Sequence, residues 1–127
     1  MKGVGVDIVE IKRIEKAIGR YGENFIRRVY TPTERTYCQR RGKNRIPEFA
    51  ARFAAKEAYA KAVGTGIAGL ARPSLPGRPR RLNWLDVEVR NDDMGKPEIY
   101  LKGVRAPNAF VSLTHGQDSA IATVIIE

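Results

Sequence analysis

Residues 52–64 read RFAAKEAYAKAVG, and this alanine-rich stretch decides how the surrounding sequence folds. Alanine is the strongest helix former, and Pro47 and Gly64 stand on either side of the stretch. Proline is favoured in the first turn of a helix, while glycine readily takes the left-handed conformation that ends one. We therefore expect a long helix that begins near Pro47 and ends at Gly64.

Charged side chains interrupt this helix at regular spacing. Residues four apart share a helical face, so Glu57 and Lys61 lie on one face. Arg52 and Lys56 form a like-charged pair on the adjacent face. A carboxylate beside cations suits both a hard metal ion and phosphate oxygens. An ordinary salt bridge between residues i and i+4 explains the same pattern equally well.

A second carboxylate lies in residues 3–11, which read GVGVDIVEI. The β-branched residues predict a short buried strand, and the small glycines allow other backbone to approach closely. Asp7 interrupts this apolar run, which is costly unless the carboxylate is paired or bound to a metal. Asp7 could instead cap the helix that is predicted over residues 10–18. As ligands, Asp7 and Glu57 would supply two carboxylates for Mg²⁺.

Length and composition limit the class of protein. At 127 residues the chain is expected to form one domain, residues 1–127. The net charge of +9 indicates an acidic partner, and nucleic acid, anionic membrane and acidic protein all qualify. Cys38 is the one cysteine and His115 the one histidine, which excludes a Cys/His zinc site and an intrachain disulfide. No apolar stretch approaches the length of a membrane span, so we expect a cytoplasmic protein.

The whole pattern predicts an α+β fold, with a helical first half packed on a mostly antiparallel sheet. Thr31 and Glu34 form a capping box around Pro32, which predicts a helix that ends near Gly42. Residues 70–83 are rich in proline and arginine and predict a loop.

Two hairpins are predicted in the second half, because the apolar residues there alternate with period two. The predicted strand pairs are residues 84–89 with 98–101 and residues 109–113 with 120–126. The last strand is an almost unbroken apolar run, which predicts burial on both of its faces.

Three motifs resemble those of the holo-acyl-carrier-protein synthases, a family of 4′-phosphopantetheinyl transferases. The motifs are residues 3–11 with Arg13 nearby, residues 52–64, and VSLTH at residues 111–115. They occur in the family's order, at similar separations, across nearly the whole chain. The resemblance implies transfer of 4′-phosphopantetheine from coenzyme A to a serine of apo acyl carrier protein, with release of adenosine 3′,5′-bisphosphate. It also implies trimers whose active sites are shared across subunit interfaces.

The same resemblance implies roles for individual residues. Asp7 and Glu57 would hold Mg²⁺, and Glu57 is also our first choice for the base that takes the serine proton. Lys61 would act beside them on a phosphate oxygen. Further coenzyme contacts are implied for Arg52, Lys56, Gly64, Ser112 and His115. A purely structural role explains the last two equally well.

Basic side chains in the first two helical segments suit the acidic carrier protein that the resemblance implies. The candidates for this docking surface are Arg13, Lys16, Arg20, Arg27 and Arg28. Opposite charge on two partners raises their association rate and makes it sensitive to salt. A solvated helix face is the plain alternative. Arg13 is the strongest candidate, because it also falls in the N-terminal motif.

Three further interpretations are weaker. Residues 64–69 read GTGIAG, which spells a dinucleotide fingerprint, but they follow a helix rather than a strand. Ser112, His115 and Asp118 resemble a hydrolase triad, but they crowd one hairpin and lack a nucleophile elbow. A small basic nucleic-acid-binding module would explain the charge, yet no recognition motif accompanies it.

Overall fold

The computed structural model describes residues 2–65, 67 and 82–127. Its elements, in chain order, are β1 (Gly3–Glu10), α1 (Ile11–Tyr21), α2 (Glu23–Val29), α3 (Pro32–Gln39), a 3-10 helix (Gly42–Asn44), α4 (Arg45–Val63), a second 3-10 helix (Trp84–Asp86), β2 (Val87–Asn91), β3 (Pro97–Leu101), β4 (Val104–Arg105), β5 (Ala109–His115) and β6 (Ser119–Ile126). In this part of the chain the strands form two antiparallel sheets, ordered β1-β6-β5 and β2-β3-β4. The predicted α+β class is confirmed.

Helix α4 is the centre of the fold and packs across the first sheet. Its alanines are almost all fully buried, because small side chains let the strands approach the helix backbone. The approach is closest at β1. A Cβ atom on Gly5 would lie 2.0 Å from the carbonyl oxygen of Ala58, and one on Gly3 would lie 2.2 Å from that of Ala62. The two glycines therefore set the distance between β1 and α4.

The local signals for the helix ends are confirmed. Thr31 Oγ1 accepts a hydrogen bond from the Glu34 amide, and the Glu34 carboxylate accepts one from the Thr31 amide, as in a capping box. Helix α3 ends at Gln39, earlier than expected. Helix α4 begins two residues before Pro47, at Arg45, and it is capped by Gly64 with a φ of 80°.

The two predicted hairpins are also confirmed, as β2 with β3 and β5 with β6. The first predicted strand is wrong in its first three residues, because Trp84–Asp86 form a 3-10 helix closed by Asn83 and Asp86, and the strand begins at Val87. On its other edge, β6 pairs with β1, and this pairing runs from Gly3 opposite Ile126 to Glu10 opposite Ser119. Of the loop predicted over residues 70–83, residues 70–81 lie outside the described part of the chain. No helix in the described residues is long and apolar enough to cross a membrane.

The prediction that β6 is buried on both faces is wrong within this chain. Ala120, Ala122 and Val124 face α4 and are fully buried, whereas Ile121 is 38% exposed. Side chains of a strand alternate between the two faces, and only one face of this sheet meets the helix. The outer sheet face, as we call the other one, carries the exposed apolar side chains of Val4, Val6, Ile8, Phe110 and Ile121.

Candidate active site

The structure brings Asp7, Glu57 and Lys61 together. Alternate residues of β1 face α4, so Asp7 follows Gly3 and Gly5 in the series that lies against this helix. Lys61 Nζ lies 2.9 Å from Asp7 Oδ1 and donates a second hydrogen bond to the Val6 carbonyl at 3.1 Å. Its ammonium remains about half exposed, with 54% of the side chain accessible. Asp7 and Glu57, which are remote in sequence, therefore share one partly buried site with a lysine.

Glu57 carries the unusual electrostatics of this site. Burial, followed by the negative charge of Asp7, raises the pKa of the Glu57 carboxyl, while Arg13 and Lys61 oppose the shift. In the described part of the chain, Glu57 Oε1 is a buried oxygen without a hydrogen-bond partner. A buried acceptor that is left unpartnered is costly, and a neighbouring carboxylate increases the cost. A bound cation would relieve both.

The donor set fits Mg²⁺ better than a closed metal site. The described residues contain no group of three or more His, Cys, Asp and Glu side chains able to hold a metal. Asp7 and Glu57 supply two carboxylates, and Mg²⁺ commonly takes one or two from the protein and its other ligands from water and substrate phosphates.

Arg13 lies at the edge of this cluster. It projects from the first turns of α1, and its guanidinium carbon is 5.5 Å from the centre of the Phe53 ring. Phe53 precedes Glu57 by four residues and so occupies the same face of α4. The structure therefore places one of the predicted docking arginines beside the acidic pair.

The other predicted docking residues lie along the surfaces of α1 and α2, and all of them are exposed. Arg20 lies over the ring of Tyr21 at 5.3 Å, and Arg27 forms an exposed ion pair with Glu23 at 3.7 Å. Lys16 and Arg28 are exposed as well. Their positive charges therefore face solvent on these two helices.

Lys56 requires a correction. Its side chain is fully buried, and Nζ lies 2.6 Å from Glu34 Oε1, 2.6 Å from the Val29 carbonyl and 3.0 Å from the Trp84 carbonyl. Burial lowers the pKa of Lys56, and the Glu34 carboxylate opposes that shift. An ammonium with three protein acceptors and no exposed surface cannot make the coenzyme contact that we expected. It instead ties three segments to α4.

Arg52 and His115 belong to a second polar cluster. Arg52 is 1% exposed and donates hydrogen bonds to Glu48 Oε2 and Asn91 Oδ1, both at 2.6 Å. Its guanidinium carbon lies 4.1 Å from the centre of the Tyr37 ring. His115 Nε2 lies 3.4 Å from Glu48 Oε1. Together they line a cavity of about 310 Å³.

The sequence analysis had missed Glu48 and Asn91. The signal for Glu48 was its position one helical turn before Arg52. Asn91 comes from β2 and gave no local signal, because its contact with the helix exists only in the folded chain.

The two clusters are separate within one copy of the chain. Glu48 precedes Glu57 by nine residues of α4, which corresponds to about 13 Å along the helix axis. Ser112 does not join His115 either. The two lie three residues apart on β5, so they face opposite sides of the sheet, and Ser112 is on the outer sheet face.

This arrangement rejects the triad interpretation, since the required serine and histidine point away from each other.

Gly64 caps the helix just after Lys61 and is exposed. Residues 66, 68 and 69 of the apparent dinucleotide fingerprint lie outside the described residues, and its first glycine follows a helix, not a strand.

The sequence and the fold correspond to a known class of protein. Residues 3–124 match the family model of the 4′-phosphopantetheinyl transferase superfamily. A match over that length shows that the chain belongs to this family.

Individual relatives within this family are holo-acyl-carrier-protein synthases. The chain is 40% identical over 133 residues to the holo-[acyl-carrier-protein] synthase of Koribacter versatilis, which covers 98% of this chain and 97% of the relative. Among solved structures, the Neisseria meningitidis holo-[acyl-carrier-protein] synthase is similar with a TM-score of 0.79 and 32% identity, covering 100% of this chain and 98% of that one. The Bacillus anthracis holo-(acyl-carrier-protein) synthase, solved in complex with CoA (3′,5′-ADP), has a TM-score of 0.77 and 37% identity, covering 99% and 96%.

Proposed function

We propose that this chain transfers 4′-phosphopantetheine from coenzyme A to a serine hydroxyl of an apo acyl carrier protein. The serine oxygen forms a bond to the phosphorus next to the pantetheine arm, and the bond from that phosphorus to the bridging oxygen breaks. The leaving group is adenosine 3′,5′-bisphosphate, and the serine proton passes to a base. The observation that carries the proposal is the convergence of Asp7, Glu57 and Lys61 in a chain 40% identical to a holo-[acyl-carrier-protein] synthase over nearly its full length.

The acidic pair would hold Mg²⁺, which supplies charge neutralisation at the diphosphate when it is bound. Glu57 has a second role, because a carboxyl whose pKa is raised by burial is a stronger base than an exposed one. It would accept the serine proton directly or through a water molecule. Asp7 would remain paired with Lys61, whose ammonium lies 2.9 Å from its carboxylate.

Lys61 would bind a phosphate oxygen. Its ammonium is exposed yet fixed by Asp7 and the Val6 carbonyl, so it can donate its remaining hydrogen to an incoming anion without a large loss of side-chain freedom. Charge-assisted hydrogen bonds of this kind are among the stronger contacts that a protein makes to phosphate. Gly64, one residue past the end of the helix, would leave room for the pantetheine arm.

We propose that the Arg52–His115 cavity binds another part of the coenzyme, in an active site made by two copies of the chain. Two observations support this arrangement. The cavity and the acidic pair face different sides of α4 within a copy and are about 13 Å apart along the helix axis, measured from Glu48 to Glu57. The outer sheet face also presents Val4, Val6 and Ile8, each more than half exposed, and adjacent apolar side chains of this size commonly mark an interface. A trimer remains our expectation for the assembly, and Ser112 would lie within the interface.

The carrier protein would dock on the basic surfaces of α1 and α2. Arg13 is the central residue, because it joins this surface to the acidic pair. Lys16, Arg20, Arg27 and Arg28 would extend the attraction for an acidic partner. We expect the reaction to take place in the cytoplasm, in a single catalytic domain.

The direct test is covalent modification of a carrier protein. The purified chain is incubated with coenzyme A, Mg²⁺ and apo acyl carrier protein, and the intact mass of the carrier is measured. We expect the mass of one phosphopantetheine to be added, and no addition when the acceptor serine of the carrier is replaced by alanine. Failure to modify any of several carrier proteins would contradict the proposal. If the same preparation bound RNA tightly in a salt-dependent manner, the nucleic-acid-binding alternative would replace it.

A further inference from the structure

Two aromatic rings connect the second 3-10 helix to the edge of the candidate active site. The rings of Trp84 and Phe53 are stacked, with centres 4.6 Å apart and planes inclined by 28°. The Phe53 ring in turn carries the Arg13 guanidinium, at 5.5 Å. Phe53 is only 6% exposed, so its orientation is fixed by its neighbours, and Trp84 is the large planar group among them.

The backbone beneath Trp84 is held from the interior. Its carbonyl accepts a hydrogen bond from the buried Lys56 ammonium at 3.0 Å, and the same ammonium holds Glu34 and the end of α2. Asn83 and Asp86 close the 3-10 helix around Trp84 with reciprocal hydrogen bonds. The backbone that carries the indole is therefore held by hydrogen bonds from both Lys56 and the Asn83–Asp86 pair.

The stacked pair of rings would favour binding by Arg13 most of all. Arg13 is exposed, and a long exposed side chain loses conformational freedom when it binds a partner. A guanidinium that already rests on a ring loses less of it, so binding is favoured by preorganisation. The position also matters electrostatically, because Arg13 lowers the pKa of Glu57 and so acts on the proposed base.

We propose that Trp84 is a positioning residue which, through Phe53, holds Arg13 ready for an acidic side chain of the carrier protein next to Glu57. This inference rests on the proposed transferase function. It assigns a role to a residue outside the motifs that carry the family resemblance, and it distinguishes binding of the protein substrate from binding of the coenzyme.

The test compares KM for the apo carrier with KM for coenzyme A. Trp84→Leu removes the stacked ring but retains the carbonyl that receives Lys56. We expect it to raise the carrier KM roughly two- to fivefold, as for loss of one exposed cation–π contact, and to leave the coenzyme KM unchanged. Trp84→Phe should restore most of the affinity. Tyr100→Leu is a control for loss of an aromatic ring elsewhere, because Tyr100 lies on the second sheet beneath Arg90, at 4.1 Å, and its loss should leave the carrier KM unchanged.

A double-mutant cycle separates positioning from general loss of stability. In an Arg13→Gln background, Trp84→Leu should produce no further rise in the carrier KM. An equal rise in both backgrounds, or an equal rise in the KM of both substrates, would overturn the inference. Absence of transfer by the unaltered enzyme would instead refute the proposed function. Normal transfer with an unchanged carrier KM in Trp84→Leu would refute the inference alone.

If Trp84→Leu does not fold, a fluorescence measurement on the unaltered enzyme tests the same inference. Trp84 is the one tryptophan of the chain, so the emission of the unaltered enzyme reports on this site. Apo carrier should change that emission, coenzyme A alone should not, and Arg13→Gln should remove the response at the same carrier concentration. An active enzyme whose emission is unaffected by saturating carrier would overturn the inference.

Discussion

Replacement of Gly5 by alanine tests whether the close packing of β1 on α4 holds the active site together. The added Cβ would lie 2.0 Å from the Ala58 carbonyl oxygen and 2.8 Å from the Ala62 nitrogen. Carbon and oxygen atoms in close contact are normally about 3.3 Å apart or more. Both obstructing atoms belong to the backbone of a buried helix, so neither can rotate away. The strand and the helix would have to separate by roughly 1 Å.

Two losses should follow from that separation. Overpacking of a dense core typically costs about 1–3 kcal/mol of the free energy of unfolding. Asp7 lies two residues after Gly5 on β1, so the same separation would displace its carboxylate from the Lys61 ammonium, which lies 2.9 Å away in the unaltered chain. A misplacement of this size at a catalytic centre can lower the rate about 100-fold.

Urea unfolding followed by circular dichroism measures the first loss, and kcat for carrier modification measures the second. Gly19→Ala is the matched control, because Gly19 lies within α1 and a Cβ there would meet nothing within 4 Å. We expect that control to be stabilised by about 0.4–1 kcal/mol, since alanine restricts the unfolded chain more than glycine does. If Gly5→Ala unfolded at the same urea concentration as the unaltered chain, the tight contact between β1 and α4 would be wrong.

Three further changes probe the two clusters and the buried Lys56–Glu34 pair. Glu57→Gln should abolish transfer. Because the pKa of Glu57 is raised, its contribution to stability is present below pH 4.5 and is lost as the pH rises through the raised value. Without divalent cation, the variant should therefore melt at a higher temperature than the unaltered chain at pH 7 but not at pH 4. Lys56→Met should lower the free energy of unfolding by about 3–5 kcal/mol, because Glu34 would be left buried without its partner; a loss below 1 kcal/mol in urea unfolding would contradict the buried pair. Finally, equal amounts of inactive Glu57→Gln and His115→Ala chains can be unfolded together and refolded. The mixture should regain roughly a quarter of the normal activity if each site takes one residue from each of two copies. No recovery would indicate that a site is complete within one copy.

Much of the fold was encoded in local signals that a sequence displays directly. The capping box at Thr31 and the glycine cap at Gly64 depend on a few adjacent residues, and both were predicted. The convergence of Asp7 with Glu57 was predicted from chemistry rather than from pattern. A carboxylate in a buried strand needs a cation or a metal ion beside it, and Glu57 in the long helix was the most prominent candidate for a second ligand of such an ion.

The role of Lys56 could not be predicted in the same way. An amphipathic helix shows which of its faces is buried, but the alanine-rich α4 is buried on nearly all sides between residues 49 and 56. Periodicity therefore gave no means to distinguish an exposed lysine from a buried one. The acceptors of Lys56 come from α2, α3 and the second 3-10 helix, and only tertiary contacts bring them together. The opposite orientations of Ser112 and His115, in contrast, follow from the period of a strand and were available from the sequence.

The geometry of α4 is compatible with the shared active site that the family resemblance implies. Arg52 and Glu57 are five residues apart, which turns their side chains about 140° away from each other around the helix axis. One side faces β1 and the exposed Lys61, and the other faces the cavity with Asn91 and His115. Within one copy the two clusters therefore face away from each other across α4. If both clusters serve the same coenzyme, a neighbouring copy would supply the second one, and the apolar outer sheet face offers a surface on which that copy could associate.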